Sequence, residues 1–206
     1  MTTLVLTADR NTIGRHDWVG AFDPEARAFM DVHGGVRVQI PQALTARCRF
    51  EAALRAVEEH RPDVVAYFGH GLRRQLPQLG MGLHEAAAFG AAIAANATGA
   101  RVVLYACSAA DGTGPGGDGG FCDALRDALI GLGAVSSQVD GHSNGGHTTR
   151  NPYVRRFNVR TNVGGDWIVA PGTPLWARWR AALMGPMRFR YPFLTAAEIA
   201  AELAPT

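Results

Sequence analysis

A cysteine and a histidine each follow an apolar, β-prone run in this sequence. Cys107 ends the run "VVLYAC", and His70 follows "DVVAYFG". A cysteine thiolate is a strong nucleophile, and a neighbouring imidazolium both favours the thiolate and donates a proton to a leaving amine. These two residue types predict nucleophilic catalysis, provided that the fold brings them together.

The residues beside His70 fit the same chemistry. Gly69 and Gly71 flank the histidine and allow a sharp turn of the backbone. The amide of Gly71 could join that of Cys107 in holding an oxyanion. The alternative for Cys107 is structural, because cysteine behaves as a small hydrophobe and is often buried.

A second group of polar residues invites a metal-binding interpretation. The segment "DGHSNGGH" contains Asp140, His142 and His147. Histidines five residues apart in a glycine-rich loop are not a standard zinc pattern, and no cysteine pair accompanies them. We therefore expect no metal here, but a hydrogen-bonded turn or a substrate-facing loop.

The glycine-rich stretch "DGTGPGGDGG" at 111–120 looks superficially like a nucleotide-binding loop. That fingerprint sits tightly between a strand and a helix. Here the preceding strand is already complete at Cys107, and Asp111 and Asp118 would repel a phosphate. A mobile loop beside Cys107 is the favoured interpretation, and no cofactor is expected.

Strand-like and helix-like segments alternate along most of the chain. Apolar or alternating runs predict strands at 3–8, 36–41, 63–71, 101–108 and 134–141. Helical periodicity predicts helices at 43–60, 83–97 and 121–133. The sequence between the first two strands is polar and contains glycine, and no helix is assigned to it. Such alternation predicts an α/β fold with a mostly parallel sheet, in which the carboxyl ends of the strands share one edge.

The pattern weakens towards the C-terminus. An edge strand is predicted at 153–160 and another short strand at 167–171. A helix is predicted from Thr173, with Pro174 in its first turn, and a last helix begins with Thr195 and Glu198 at capping-box spacing.

The segments "VVAYFGHG" and "VVLYACSAA", with His70 and Cys107 37 positions apart, resemble the caspase-like fold of clan CD cysteine peptidases. "HG", together with "LG" at Leu79 and Gly80, is most similar to the bacterial CHAT type. The resemblance covers about residues 1–160 and implies a three-layer α/β/α fold. It also implies a catalytic dyad of His70 and Cys107, with the Gly71 amide as an oxyanion donor. Residues 161–206 would form an extension packed on the same domain or on a partner.

The resemblance does not carry a substrate specificity. Caspases have Gln-Ala-Cys at the nucleophile, where this chain has Tyr-Ala-Cys, and Ala106 stands where metacaspase-like enzymes have an acidic residue. Candidates for the first substrate pocket are Asp9, Arg10 and Asp140, which follow predicted strands. An acidic pocket from Asp9 or Asp140 predicts cleavage after a basic residue, whereas Arg10 predicts an acidic one. The alternative for the aspartates is a turn or capping role.

Composition limits the remaining function classes. The chain has 206 residues and a net charge of +2. This length predicts a single globular domain, and no apolar run is long enough for a membrane span. The three cysteines have no framework spacing, which predicts a reduced, cytoplasmic protein. Cys48 and Cys122 are interpreted as core thiols. Residues 150–206 contain eight arginines and three acidic residues. This tail suggests a protein partner, and a regulatory or structural binding module is the alternative to a peptidase. The low net charge argues against nucleic acid.

Overall fold

The computed structural model describes residues 1–9, 12, 13, 16, 17, 19–97, 99–146 and 148–205, and the side chains of these residues except those at 12–21. The strands are β1 (Thr3–Ala8), β2 (Thr12–Ile13), β3 (His16–Asp17), β4 (Val36–Ile40), β5 (Val64–Phe68), β6 (Arg101–Tyr105), β7 (Gln138–His142), β8 (Val154–Phe157) and β9 (Asp166–Trp167). The helices are α1 (Val19–His33), α2 (Ala46–His60), α3 (Leu83–Ala94), α4 (Phe121–Gly131), α5 (Pro174–Ala182), α6 (Met187–Arg190) and α7 (Ala196–Glu202).

A seven-stranded sheet in the order β4-β1-β5-β6-β7-β8-β9 organises the fold. The first five strands in this order are parallel to one another, whereas β8 and β9 each pair antiparallel with the strand before them. This arrangement confirms the predicted α/β class with a mostly parallel sheet. The strand predicted at 153–160 is present as β8, but it is not an edge strand, because β9 pairs with its outer side.

Helices cover both faces of the sheet. One face packs against α2, α3 and α4 through a large apolar cluster that includes Leu6, Val65 and Leu104. The other face packs against α1 through Phe22 and other apolar residues. Alternate residues of each strand point to opposite faces, which is why the nearly continuous apolar runs of β1, β5 and β6 are buried on both sides.

Helix α1 was not predicted. Pro24 lies inside it, and a proline in a helix interior removes a backbone hydrogen bond and is normally read as a helix breaker. Burial overrides this local preference, since Phe22, Ala26 and Phe29 pack on the sheet.

The C-terminal segment packs against the rest of the chain. Phe189 belongs to the same apolar cluster as Val5 and Phe68. Trp179 is fully buried in a further cluster with Val154 of β8 and Tyr191. Trp179, one of three tryptophans in residues 150–206, is therefore part of the core and not of a docking surface.

Within the part of the chain that the structure describes, no helix combines the length and the apolar character needed to cross a bilayer. The three cysteines are all free.

Candidate active site

His70 and Cys107 follow the carboxyl ends of two neighbouring parallel strands. Phe68 at the end of β5 lies opposite Tyr105 at the end of β6, and the amide of Gly69 donates to the carbonyl of Tyr105 at 3.4 Å. His70 and Cys107 each stand two residues beyond that last strand pair. The structure thus brings them to the same edge of the sheet, on adjacent connections.

Gly71 packs directly against the backbone of Cys107. A Cβ atom at this position would lie 2.6 Å from the carbonyl oxygen of Cys107 and 2.7 Å from the Cβ of Ala106. Only glycine allows the two connections to approach this closely.

Two backbone donors are available beside this contact. Among the described residues, the amides of Gly71 and Cys107 donate no hydrogen bond to any other group. Backbone amides left over at a strand end are the donors that an oxyanion hole requires. The amides of Gly71 and Cys107 are therefore the candidate oxyanion donors of this site.

A buried glutamine and tyrosine hold the backbone of His70. The His70 amide donates to Oε1 of Gln78 at 2.8 Å, and the Tyr67 hydroxyl lies 3.0 Å from the His70 carbonyl and 3.2 Å from Gln78 Oε1. Burial raises the pKa of Tyr67 well above its ordinary value, although the charge of Arg49 opposes this. The hydroxyl consequently stays protonated and acts as a donor. Gly69 has no room for a side chain because the same two groups crowd it.

The imidazole of His70 packs against helix α1. Its ring and that of Phe22 meet edge to face, with centroids 5.1 Å apart. Phe22 is itself buried in the apolar cluster under α1. The helix that the sequence did not predict therefore forms one wall of the candidate site.

The sulfur of Cys107 accepts a hydrogen bond from the loop that joins β7 and β8. The donor is the amide of Gly146, at 3.2 Å from Sγ. Gly146 has φ of +133°, and a Cβ there would lie 2.6 Å from Nδ2 of Asn151, so this position also requires glycine.

Further hydrogen bonds tie this loop, residues 143–151, to the turn after Cys107. The amide of Ser108 donates to the carbonyl of Asn144 at 2.9 Å, and the side chain of Asn151 donates to Asn144 Oδ1 and to the Gly146 carbonyl at 3.2 Å each. Ser108 has φ of +53°, a left-handed conformation that is uncommon outside glycine. The strained turn redirects the chain immediately after the candidate nucleophile.

Glu25 of α1 fixes the far end of the 143–151 loop. Its Oε2 accepts hydrogen bonds from the Thr149 hydroxyl at 2.5 Å and the Thr149 amide at 3.3 Å, and Oε1 lies 3.8 Å from the Arg150 guanidinium. Helix α1 therefore contacts both the histidine and the loop over the cysteine.

Asp9 lies at the same edge of the sheet as His70. It follows β1, which pairs with β5 so that Thr7 faces Phe68. Its Oδ1 accepts a hydrogen bond from the Gln42 amide at 2.8 Å, and the residue is exposed. The Asp9 side chain thus accepts a backbone hydrogen bond, as the turn or capping alternative predicts, and its carboxylate is also accessible to solvent. Arg10 lies outside the described residues.

Asp140 is not at the site surface. It lies within β7, opposite Arg156 of β8, and has no exposed surface. Both of its oxygens accept from the Arg156 guanidinium at 2.9 Å, and Gln138 donates to Oδ2 at 3.1 Å. We therefore correct the expectation of a substrate-facing carboxylate here, because a buried, bidentate ion pair leaves no atom to contact a substrate.

The other sequence candidates have structural explanations. In the 111–120 loop, the amides of Thr113 and Gly114 donate to the Asp118 carbonyl at 3.0 and 2.9 Å, and the mobility of this loop stays a prediction. His142 is buried and bonded to the Gly146 carbonyl at 2.7 Å, and His147 lies outside the described residues. No cluster of three potential metal ligands occurs in the described part of the chain.

Sequence reasoning missed the residues that support the site. Gln78 and Tyr67 bond to the backbone of His70, and Glu25 bonds to Thr149, which is distant along the chain. The local sequence around each of these residues carries no signal for its contact. Gly146 lies in a glycine pair, but nothing in the sequence shows what its amide contacts. No protein-family model and no curated protein matches this chain.

Proposed function

We propose that this protein is a cysteine peptidase in which Cys107 is the nucleophile and His70 the general acid and base. The observation that carries this proposal is the packing of Gly71 on the Cys107 backbone, beside a half-buried thiol and two amides that donate to no acceptor among the described residues. A core cysteine needs neither free amides nor a glycine of this kind. The resemblance to caspase-like peptidases supports the same assignment, since it implies a histidine and a cysteine at the ends of neighbouring strands.

The reaction follows from these groups. The Cys107 thiolate attacks the scissile carbonyl carbon, and the Gly71 and Cys107 amides stabilise the oxyanion. The C–N bond then breaks, and His70 gives its proton to the departing amine. Water attacks the resulting thioester while His70 takes up a proton from it, which releases the acid and regenerates the thiolate.

We propose cleavage after a basic residue. Asp9 supports this preference, because it is exposed beside the strand that leads to His70 and retains an oxygen not used by Gln42. A carboxylate at the substrate pocket would pair with an arginine or lysine side chain. Asp140 does not support this preference, because it is buried and paired with Arg156.

The alternative is a caspase-like fold that acts as a binding or regulatory module. The buried Trp179 argues against the whole tail as a docking surface. Reactivity at Cys107 separates the two functions, since a binding module does not need an activated thiol.

Labelling with a peptidyl acyloxymethyl ketone tests the proposal. We expect intact-mass spectrometry to show a single adduct at Cys107, formed faster with an arginine probe than with an aspartate probe. His70→Ala should slow labelling at least about 100-fold, the usual contribution of a general acid or base, and Cys107→Ala should abolish it. Hydrolysis of a peptidyl-arginine aminomethylcoumarin substrate would then show turnover.

The other cysteines provide the controls. Cys48→Ala should leave labelling of Cys107 unchanged, because Cys48 lies in the first turn of α2 and no hydrogen bond joins it to His70 or Cys107 among the described residues. Burial raises the pKa of the Cys122 thiol well above its ordinary value, so that residue should react only after unfolding. Labelling of Cys48 at the rate of Cys107 would contradict the proposed function.

A further inference from the structure

An open groove lies between the end of the 143–151 loop and helix α5. Its volume is about 590 Å³, and every residue that lines it lies within the described ranges of the chain. The lining residues are Arg150, Pro152, Tyr153, Ala177, Arg180, Ala181 and Met184.

The groove carries positive charge that its surroundings do not neutralise. Arg180 is exposed and has no ion pair or side-chain hydrogen bond within the described part of the chain. Arg150 forms an ion pair with Oε1 of Glu25 at 3.8 Å, so Arg180 supplies the uncompensated charge and Arg150 adds a second set of N–H donors. Two guanidinium groups on one groove favour a ligand with carboxylates.

None of the acidic residues at 150–206 lines the groove. Glu198 caps α7 through Thr195, Glu202 pairs with Arg190, and Asp166 lies in β9. Among the described residues, none of the three forms an ion pair with Arg180. The remaining attraction is therefore directed at a molecule from solution.

The walls of the groove are partly apolar. Met184 is 60% exposed, and Tyr153 packs on Trp176 with ring centroids 5.0 Å apart. Because the tyrosine ring already contacts Trp176 at an interplanar angle of 60° and meets Trp167 edge to face, it is a poorer stacking platform for a nucleic-acid base than a ring without such neighbours. Carboxylate-binding arginines next to exposed apolar atoms fit a peptide with acidic and apolar side chains.

The groove is close to the candidate nucleophile. Gly146 contacts the Cys107 sulfur, and Arg150 is four residues further along, at most about 14 Å between Cα atoms. An extended peptide of four or five residues spans this distance. One substrate could therefore reach both Cys107 and the groove.

We propose that this groove is a second substrate-binding site that recognises an acidic segment of the peptide cleaved at Cys107. This inference rests on the proposed peptidase function and adds a substrate class to it. Substrates would then carry acidic residues a few positions from the scissile bond.

Peptide binding to the Cys107→Ala protein tests this site without requiring catalysis. The probes are a fluorescein-labelled decapeptide with four glutamates among leucines, its glutamine counterpart and a ten-nucleotide oligothymidylate, followed by fluorescence anisotropy. We expect the glutamate peptide to bind at least about tenfold more tightly than the glutamine peptide, and Arg180→Glu to remove this preference. Arg178→Glu is the matched control, since Arg178 is exposed on the same helix but does not line the groove.

Any of the following results would overturn the inference. Equal affinity for the glutamate and glutamine peptides, or equal losses in the two arginine variants, would exclude specific recognition by the groove. Tighter binding of the oligothymidylate that depends on Arg180 would assign the groove to nucleic acid. Ketone labelling of Cys107 is measured separately, so failure of the groove leaves the peptidase proposal standing, and the reverse also holds.

Discussion

The amide of Gly146 donates to the sulfur of Cys107 at 3.2 Å, across 39 residues of sequence. The contact places the β7–β8 loop over the candidate nucleophile. Glu25 of α1 binds Thr149 at the other end of this loop. The position of the Gly146 amide, which donates to the Cys107 sulfur, therefore depends on helix α1.

We expect Glu25→Ala to release this loop. The substitution removes the acceptor for both Thr149 hydrogen bonds, so amides at 144–151 should exchange with deuterium at least about tenfold faster, as expected for loss of about 1.4 kcal/mol. Ketone labelling of Cys107 should slow with it. Asp31→Ala, an exposed change on the same helix, is the control. Unchanged exchange in the Glu25 variant would show that the loop is held by other contacts.

Gly71→Ala should push the segment after β5, which carries His70, away from Cys107. The added methyl group would meet the Cys107 carbonyl at 2.6 Å, and overpacking of this kind costs about 1–3 kcal/mol of stability. We expect Cys107 labelling to fall at least about 100-fold, since an oxyanion donor is displaced. Gly185→Ala, where the nearest atom would be 3.6 Å away, should change neither labelling nor the urea midpoint.

Gln78→Leu removes the acceptor for the His70 amide while nearly preserving side-chain volume. A buried donor then loses its partner, which costs about 1–3 kcal/mol, and the His70 backbone loses its clamp. Cys107 labelling should slow about tenfold or more, and its pH profile should change because His70 is mispositioned. Gln75→Leu, in the same connection but exposed, is the matched control. A stable Gln78 variant with wild-type labelling at every pH would refute the positioning role.

Asp140→Asn should be strongly destabilising. It leaves the buried Arg156 guanidinium without a counter-charge, which typically costs about 3–5 kcal/mol. The double variant Asp140→Leu with Arg156→Met should lose much less, because neither charge is then buried. Urea unfolding followed by tryptophan fluorescence measures both, with Glu51→Gln in an exposed ion pair expected to change stability by less than about 1 kcal/mol. Equal losses in the single and double variants would argue against this account.

His33 should make stability depend on pH. Burial lowers its pKa, and the hydrogen bond to the Phe189 carbonyl opposes this. A histidine with a lowered folded-state pKa contributes stability above its unfolded pKa of about 6.5, and this is lost as pH falls through the folded value. The free energy of unfolding should therefore drop more between pH 7.5 and 5.5 in the wild type than in His33→Gln. His84→Gln, at an exposed position, controls for the loss of a histidine; parallel pH profiles for wild type and His33→Gln would contradict the prediction.

The parallel core and the two central residues were accessible from sequence. Runs such as "VVAYF" are apolar on both faces, which identifies buried parallel strands and places His70 and Cys107 at their ends. Asp140 was misjudged because the predicted strand at 134–141 began four residues before β7 and ended one residue before it, whereas β7 spans Gln138–His142. The aspartate, expected at the strand end, is the central residue of β7.

Other features depend on contacts that local sequence does not encode. Helix α1 forms despite Pro24, because the sheet face beneath it needs an apolar cover. The glycines of the 111–120 loop suggested mobility, yet Gly112 and Gly117 are required by close approach of other backbone atoms. Glycine-rich composition alone does not distinguish a flexible loop from a tightly packed one.

The C-terminal segment has a consequence for shortened variants of this chain. Arg156 donates to the carbonyls of Tyr191 and Leu194 as well as to Asp140, so residues 191–194 supply two of the acceptors of a guanidinium buried in the sheet. A variant cut before Tyr191 keeps both His70 and Cys107, but it leaves this guanidinium with Asp140 alone and opens the apolar cluster around Trp179. Support for the β7–β8 loop thus comes from residues more than eighty positions beyond the candidate nucleophile.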